Sequence, residues 1–226
     1  MKSLRRQAVH KGVTYPDYEV EFNTSNVYSQ RFGKILKSRS DRRGYRRYNF
    51  SLGGVLIEVR HHRLIADTFP DLIQLSPIVS HHGLKIGRER HELEFGTAFR
   101  MICNQVCPDH IDGNRANNHH SNLMIVTQFE NILKCGPRKG KYKGIYKTPN
   151  GTYQIDVGLE TILDENGKYF RFAKRFKTEE EAALGCNTML EEALLTIFGL
   201  DLGPKMYDLA YKNVIETPIQ EQLILR

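Results

Sequence analysis

Tryptophan is absent from the 226 residues, so any stacking or anchoring by aromatic rings falls to eleven tyrosines and eleven phenylalanines. Cysteine is scarce. Of Cys103, Cys107, Cys135 and Cys186 only the first two are close, whereas a zinc knuckle needs close pairs at both ends. Reduced thiols in a cytoplasmic protein are therefore expected, and a zinc-stapled structural protein is the weaker reading. No apolar run approaches the length of a membrane span, and Met1 to Lys11 is polar and basic, which is not the pattern of a signal peptide. No membrane is expected among the partners. Acidic residues are also outnumbered, 26 against 33 Lys and Arg, for a formal net charge of +7. That imbalance points to a polyanionic partner.

What is present suits folded, soluble modules: 40% hydrophobic and 26% charged residues, over a length that holds one large domain or a few small ones. The N-terminal part reads as short strands. Tyr18-Glu19-Val20-Glu21-Phe22 alternates, Val27-Tyr28-Ser29 and Lys34-Ile35-Leu36 flank a turn at Gly33, and Gly53-Gly54 joins Tyr45–Leu52 to Val55–Arg60 as a hairpin. His62 to Phe69 reads as a short helix ended by Pro70, with His61 and His62 as strand-end or packing residues rather than ligands. Between Arg31 and Arg47, eight Lys and Arg residues meet only Asp41, and Tyr45 and Tyr48 interleave with them. This arrangement suits contacts to a phosphate backbone.

The chemical centre of gravity is Cys107-Pro108-Asp109-His110-Ile111-Asp112-Gly113-Asn114, continuing through Asn117-Asn118 and Asn122-Leu123 to Glu130-Asn131. Asp109 and His110 are neighbours, so on a strand their side chains face opposite ways, one able to hold a cation and the other to reach a water. Asp112-Gly113 signals a turn, residues 114–121 a polar loop, and Leu123-Met124-Ile125-Val126 a buried second strand. Thr127 and Glu130 have capping-box spacing, which puts Asn131 near the first turn of a helix. The layout is strand, loop, strand, helix.

This run resembles the HNH nuclease motif in the form found in bacteriophage homing endonucleases. The resemblance implies a hairpin and helix around one divalent ion. It implies Asp109 and Asn131 as metal ligands, His110 as general base, and Asn122 as the residue that ties the loop and orients the histidine. The cofactor implied is Mg²⁺, with Mn²⁺ also possible. The preceding Tyr18-Glu19-Val20, Gly33-Lys34-Ile35, Gly44-Tyr45 and His62-Arg63-Leu64-Ile65-Ala66 resemble the nuclease-associated modular segment of such enzymes, which contacts DNA. Its candidate contacts here are Arg39, Arg42, Arg43, Arg46 and Arg47.

Beyond a basic linker a further module follows: strands at 143–147, 152–157 and 169–176, then a capping box at Thr178 and Glu181 opening a helix stopped by Gly199. Its Lys143-Gly144-Ile145, Tyr153-Gln154-Ile155 and Phe198-Gly199 resemble the plant apetala-type (ethylene-response-factor) DNA-binding domain, with an expanded loop at 160–167 and without that family's tryptophans. Lys143, Lys147, Tyr153, Gln154, Arg171 and Lys174 are its candidate DNA contacts, and strand alternation decides among them. The expected architecture is thus modular α+β. It has a β-rich basic segment (1–70), an insertion of open role (71–106) and a ββα-metal HNH core (107–136). A linker (137–142), a three-stranded antiparallel sheet with one packed helix (143–200) and a tail (201–226) complete it. The modules read as separable. The expected function is a metal-dependent endonuclease cutting double-stranded DNA at a specific site, monomeric and cytoplasmic, within a bacterial host if phage-encoded. The alternative is a DNA-binding regulator with an inactive core.

Overall fold

The computed structural model describes residues 4–137 and 140–215; part of the expected linker (138–139) and the end of the expected tail (216–226) lie outside the described residues. In chain order the strands and helices are β1 (Arg5–His10), β2 (Val13–Glu21), β3 (Val27–Ser29), β4 (Lys34–Ile35), β5 (Arg39–Ser40), β6 (Arg46–Leu52), β7 (Val55–Arg60), α1 (His61–Thr68), β8 (Gln74–Leu75) and α2 (Pro77–His82). There follow β9 (His91–Phe95), β10 (Phe99–Cys103), β11 (Val106–His110), β12 (Leu123–Thr127), α3 (Gln128–Lys134), β13 (Ile145–Lys147), β14 (Tyr153–Leu163), β15 (Tyr169–Phe176) and α4 (Glu179–Leu209). The class is mixed α+β. The chain forms two compact units that interleave in sequence: residues up to Arg88 with Gln105–Gln128, and Glu89–Asn104 with the chain from Phe129 onward.

In the first unit, β1 to β4 form an antiparallel sheet in chain order, β5 to β7 a second, and β11, β12 and β8 a third. The core is aromatic where β2 meets β6. The Tyr18 and Phe50 rings stack with centroids 4.0 Å apart, Tyr15 meets Phe50 edge-on at 5.3 Å, and the Tyr18 hydroxyl accepts from Ser51 N at 2.9 Å. Stacked and edge-on pairs add about 0.5–1.5 kcal/mol beyond burial. Helix α1 buries Leu64, Ile65 and Ala66. Its last turn is tied to the β1–β2 turn by Asp67, which accepts from Lys11 N at 2.9 Å and from Arg63 Nε at 2.8 Å and lies 3.1 Å from His10 Nδ1. Packed under β11 and β12, α1 carries its first residues to the strand that bears Asp109 and His110.

In the second unit β14 pairs with β13 and with β15, as the sequence pattern predicts. The first half of the expected loop at 160–167 is strand instead, and the turn is confined to 164–168. β14 runs on to Leu163 through a register shift, and its end pairs Ile162 and Leu163 with Met101 and Arg100 of β10. The 71–106 segment therefore divides: its first part lies in the first unit, and residues 89–104 form a hairpin in the second unit's sheet. Ile155, Ala182 and Cys186 form the core between sheet and helix, with Ile145, Tyr153, Val157, Phe172 and Phe176 around it. The capping box opens α4 as expected: Thr178 Oγ1 accepts from Glu181 N, and Glu181 Oε2 accepts from Thr178 N, both at 3.1 Å.

Gly199 does stop the helix, with φ of 71°, but a second helical arm resumes and runs to Leu209. Pro204 lies inside that arm, five residues past the break at Gly199. By length and composition α4 is the one helix among the described residues that could cross a membrane, a property the sequence reading did not credit. Its apolar side chains Ala182, Ala183, Cys186 and Leu194 are buried, and it packs on β13, β14 and β15 as the core helix of this unit.

The two arms of α4 meet at Gly203, where a Cβ would stand 2.9 Å from both Leu194 O and Leu195 Cα. Backbone cannot move aside as a side-chain tip can. Alanine's propensity gain over glycine, about 1 kcal/mol, is outweighed by overpacking at about 1–3 kcal/mol. Gly203→Ala should therefore lower the urea midpoint of unfolding. An unchanged or higher midpoint would show that the arms do not meet there.

Candidate active site

Strand β11 pairs antiparallel with β12, setting Asp109 opposite Met124 and His110 opposite Leu123. The two neighbours do face opposite ways: His110 is buried, at 3% exposure, and Asp109 is half-buried. The loop between the strands is a net of side-chain-to-backbone bonds, the kind by which Asx residues shape turns. Asp112 accepts from Asn114 N at 2.7 Å, from Asn117 Nδ2 at 2.8 Å and from Asn122 Nδ2 at 2.8 Å. Asn122 also donates to Asn117 O at 2.8 Å and accepts from Asp112 N at 3.1 Å. Hydrogen bonds from Asn117 and Asn122 hold the Asp112 carboxyl below its usual range. Asn122 thus bridges Asp112 and Asn117 across the loop.

Orientation of the histidine comes from a residue the sequence reading passed over. His110 Nε2 lies 3.1 Å from Asn118 Oδ1, while Asn118 Nδ2 donates to Ala116 O at 3.0 Å. Because the amide nitrogen is committed to a carbonyl, its oxygen faces the ring, so Nε2 is the donor and the neutral imidazole carries its lone pair on Nδ1. Asn118 is 5% exposed. Only the doubled Asn117-Asn118 in the motif hinted at it.

The other side of the ring is aromatic. His62 meets His110 edge-on with centroids 5.1 Å apart, and the Tyr45 ring lies 6.1 Å from His110 and 5.0 Å from His62. His61 Nε2 lies 2.7 Å from Ser25 O. Burial, reinforced by nearby positive groups, pushes His62 down to about 3; burial pushes His61 down to about 4. Both are packing residues, as read from sequence, and both are neutral. Asn131 lies within α3 and is half-buried. Among the described residues no three His, Cys, Asp or Glu side chains are grouped to hold a metal ion.

The predicted DNA contacts sort into distinct groups. Arg39, Arg42, Arg43 and Arg60 line a cleft of about 670 Å³ together with Asp41, Arg47 and Glu58. Arg47 is charge-matched there by Asp41 and Glu58. Burial opposes the Asp41 charge, but bonds from Arg47, Tyr45 N and Arg43 N outweigh it and hold the carboxyl below its usual range. Arg46 lines a different cavity, of about 530 Å³, with Tyr48, His61 and Asn118. Tyr48 is buried edge-on against His61 and is not an outward aromatic support.

In the second unit Lys143 Nζ donates to Ile132 O at 3.0 Å and Leu133 O at 2.9 Å, capping the end of α3. Tyr153 packs on the helix side of the sheet. Alternation puts Lys147 and Lys174 on that side too, with their ammonium groups over the Tyr153 and Phe176 rings. The open face carries Tyr146, Gln154, Arg171 and Arg175, of which Tyr146 and Arg175 were not among the expected contacts. Arg171 is paired to Asp156, whose carboxyl is held low by Arg171 first and the Tyr146 hydroxyl second.

No protein-family model matches the chain. It is 33% identical over 107 residues to an uncharacterised HNH endonuclease of Acanthamoeba polyphaga mimivirus, 47% of this chain and 51% of the relative. It is 27% identical over 150 residues to the H-N-H endonuclease F-TflII of Escherichia phage T5, 66% of this chain and 63% of that protein. The chain thus spans about half to three-fifths of the length of the curated relatives it matches. The solved HNH homing endonuclease I-HmuI, a structure of DNA binding and cleavage, aligns over 84% of this chain and 90% of its own at 21% identity, with a TM-score of 0.39.

Two predictions follow from the geometry. Asn122→Ala removes both Asp112 contacts and the Asn117 tie, and leaving buried polar groups unmet costs about 1–3 kcal/mol. Its unfolding temperature should fall, and an unchanged one would mean the loop holds itself. The histidines give a pH signature. Their folded pKa values lie below the unfolded 6.5, so the unfolded chain binds more protons between the two. Their stability contribution is whole above pH 6.5 and lost as pH falls towards 4 and 3. At pH 5 a histidine held this low costs about 2 kcal/mol relative to neutral pH. Urea midpoints at pH 7 and pH 5 should differ, and His62→Phe should narrow the gap; an equal gap would mean that His62 is not held neutral.

Proposed function

We propose that this chain is an HNH endonuclease of the homing type, a metal-dependent phosphodiester hydrolase acting on double-stranded DNA at a specific site. The observation that carries the reading is the Asp109-His110 pair on β11, with the imidazole fixed by Asn118 and the loop closed by Asn122. Its sequence likeness to a mimivirus and a phage HNH endonuclease supports it.

His110 accepts the proton of a water that attacks phosphorus, as the bond to the 3′ oxygen breaks. The tautomer fixed by Asn118 presents Nδ1 as the acceptor. As the ring is buried against Tyr45 and His62, DNA binding must bring the water to it. Asp109 and Asn131 would hold the ion. Their donors are a carboxylate and a carboxamide oxygen, hard ligands with no sulfur, and this set fits Mg²⁺ or Mn²⁺. When bound, such an ion stabilises the charge that develops on the phosphate and on the leaving oxygen. Asn122 acts on the loop, through Asp112 and Asn117. Addressing falls to Arg39, Arg42, Arg43 and Arg46 in the first unit and to the open face of the β13–β14–β15 sheet in the second. There Gln154 and Arg175 stand beside the Asp156–Arg171 pair, in the manner of an apetala-type reader.

Incubating supercoiled plasmid with the protein, with Mg²⁺ or with a chelator, tests the reading: metal-dependent nicking is expected. Binding without cutting would favour the inactive regulator. His110→Ala should keep DNA affinity and lower cleavage by about 10²- to 10⁴-fold. Asp109→Ala and Asn131→Ala should abolish cutting at ordinary Mg²⁺. Wild-type cutting by a folded His110→Ala protein would remove His110 as the base.

A further inference from the structure

The Tyr45 ring that shields His110 carries two positive charges over it. The Arg60 guanidinium lies 5.3 Å from its centroid and that of Arg115 lies 5.0 Å away. Cation–π attraction stabilises each placement, but two like charges gathered over one ring also repel. Elsewhere in this unit close arginines are matched by carboxylates: Arg5 by Glu21, Arg6 by Asp71, Arg47 by Asp41 and Arg63 by Asp67. Among the described residues no carboxylate pairs with Arg60 or Arg115. Each is nonetheless held in place. Arg60 ends β7 immediately before α1, and Arg115 Nη1 donates to Arg43 O at 3.2 Å. A guanidinium stacked on a ring keeps its in-plane N–H donors for an anion, and its fork matches two phosphate oxygens.

We propose that Arg60 and Arg115, gathered over Tyr45, bind phosphates of the DNA strand that is cut and seat that strand against His110. The inference rests on the endonuclease reading and assigns it two substrate-binding residues that the sequence pattern did not single out. One ring separates the anion site from the proton acceptor, since Tyr45 lies 6.1 Å from His110. The cleft lined by Arg42, Arg43 and Arg60 continues the positive surface from that point.

The full chain is titrated with a duplex of arbitrary sequence, in chelator, at several salt concentrations, and nicking of supercoiled plasmid is followed separately with Mg²⁺. Arg60→Gln and Arg115→Gln keep an apolar stem over Tyr45 and remove the charge. Each should reduce the slope of log binding constant against log salt by about 1, and each should slow nicking at low DNA concentration. Arg60→Lys and Arg115→Lys should restore the salt slope, because charge sets it. Arg90→Gln, which removes a residue paired with Glu92 at 2.7 Å, should change neither reading. In the wild-type protein, DNA should protect Arg60 and Arg115, but not Arg90, from an arginine-specific dicarbonyl reagent read by mass spectrometry. That measurement decides the matter if a variant does not fold. Wild-type protein that nicks while both Gln variants match it, with no protection, would overturn the inference and leave the endonuclease reading intact. Loss of salt slope in a protein that binds but never nicks would support the phosphate site and overturn the endonuclease reading. A chain that binds no duplex would overturn both.

Discussion

A buried imidazole must find a partner for its N–H, and that requirement organises the loop after β11. Leaving such a group unmet costs about 1–3 kcal/mol, so Asn118 cannot simply be a polar surface residue. Its oxygen must face His110, which commits its nitrogen to Ala116 O and fixes the chain at 116–118. Holding that stretch in place falls to Asp112 and Asn122, whose mutual bonds close the loop from the other side. Below the ring, His62 and Tyr45 complete the enclosure. The polar loop and the aromatic floor thus answer one constraint, and each is needed for the other to place the ring.

Positive charge follows a second constraint, that of internal use. A net charge of +7 invites the view that basic residues form one nucleic-acid surface. Several are spent inside the fold instead. Lys143 caps the carbonyls of α3, Arg47 is matched by Asp41 and Glu58, and Arg171 by Asp156. Asp41 also shapes the turn that presents Arg42 and Arg43, by accepting from Arg43 N and Tyr45 N at 2.8 and 3.0 Å. One carboxylate therefore removes one arginine from the surface and sets out two others.

The hairpin of Asp109 and His110 was legible because its signals are local, and so was the start of α4. Alternation puts Asp109 and His110 on opposite faces and Asp112-Gly113 turns the chain after them; in the other unit the Thr178–Glu181 spacing marks the start of α4. What sequence could not convey depends on contacts between distant segments. Asn118 looked like one more loop asparagine until the ring it faces was placed. His62 meets His110 because α1 packs under β11, and Tyr45 reaches the same ring from just before β6. Arg60 and Arg115, 55 positions apart in the sequence, converge on one ring. In the last sheet, alternation was the right rule, but it needed the helix side to be known. Ile155 and Val157 against Ala182 and Cys186 settle that side, and Tyr153, Lys147 and Lys174 go with it.

Interleaving of the two units changes how the modules can be separated. The sequence reads as a nuclease core followed by an independent sheet-and-helix module, so a chain ending near Lys139 would seem to spare everything before it. The hairpin β9–β10 lies before that point, yet its outer partner is the end of β14, through Met101 with Ile162 and Arg100 with Leu163. Removing β14 would leave β10 with an open edge of unpaired N–H and C=O groups, the feature that favours aggregation. The end of α3 would also lose the Lys143 ammonium that caps Ile132 O and Leu133 O. A truncation meant to remove the proposed sequence reader would therefore also disturb the helix that carries Asn131. Substitutions on the open sheet face, at Gln154 and Arg175, would test the proposed addressing without disturbing β10 or α3, where a shortened chain would not.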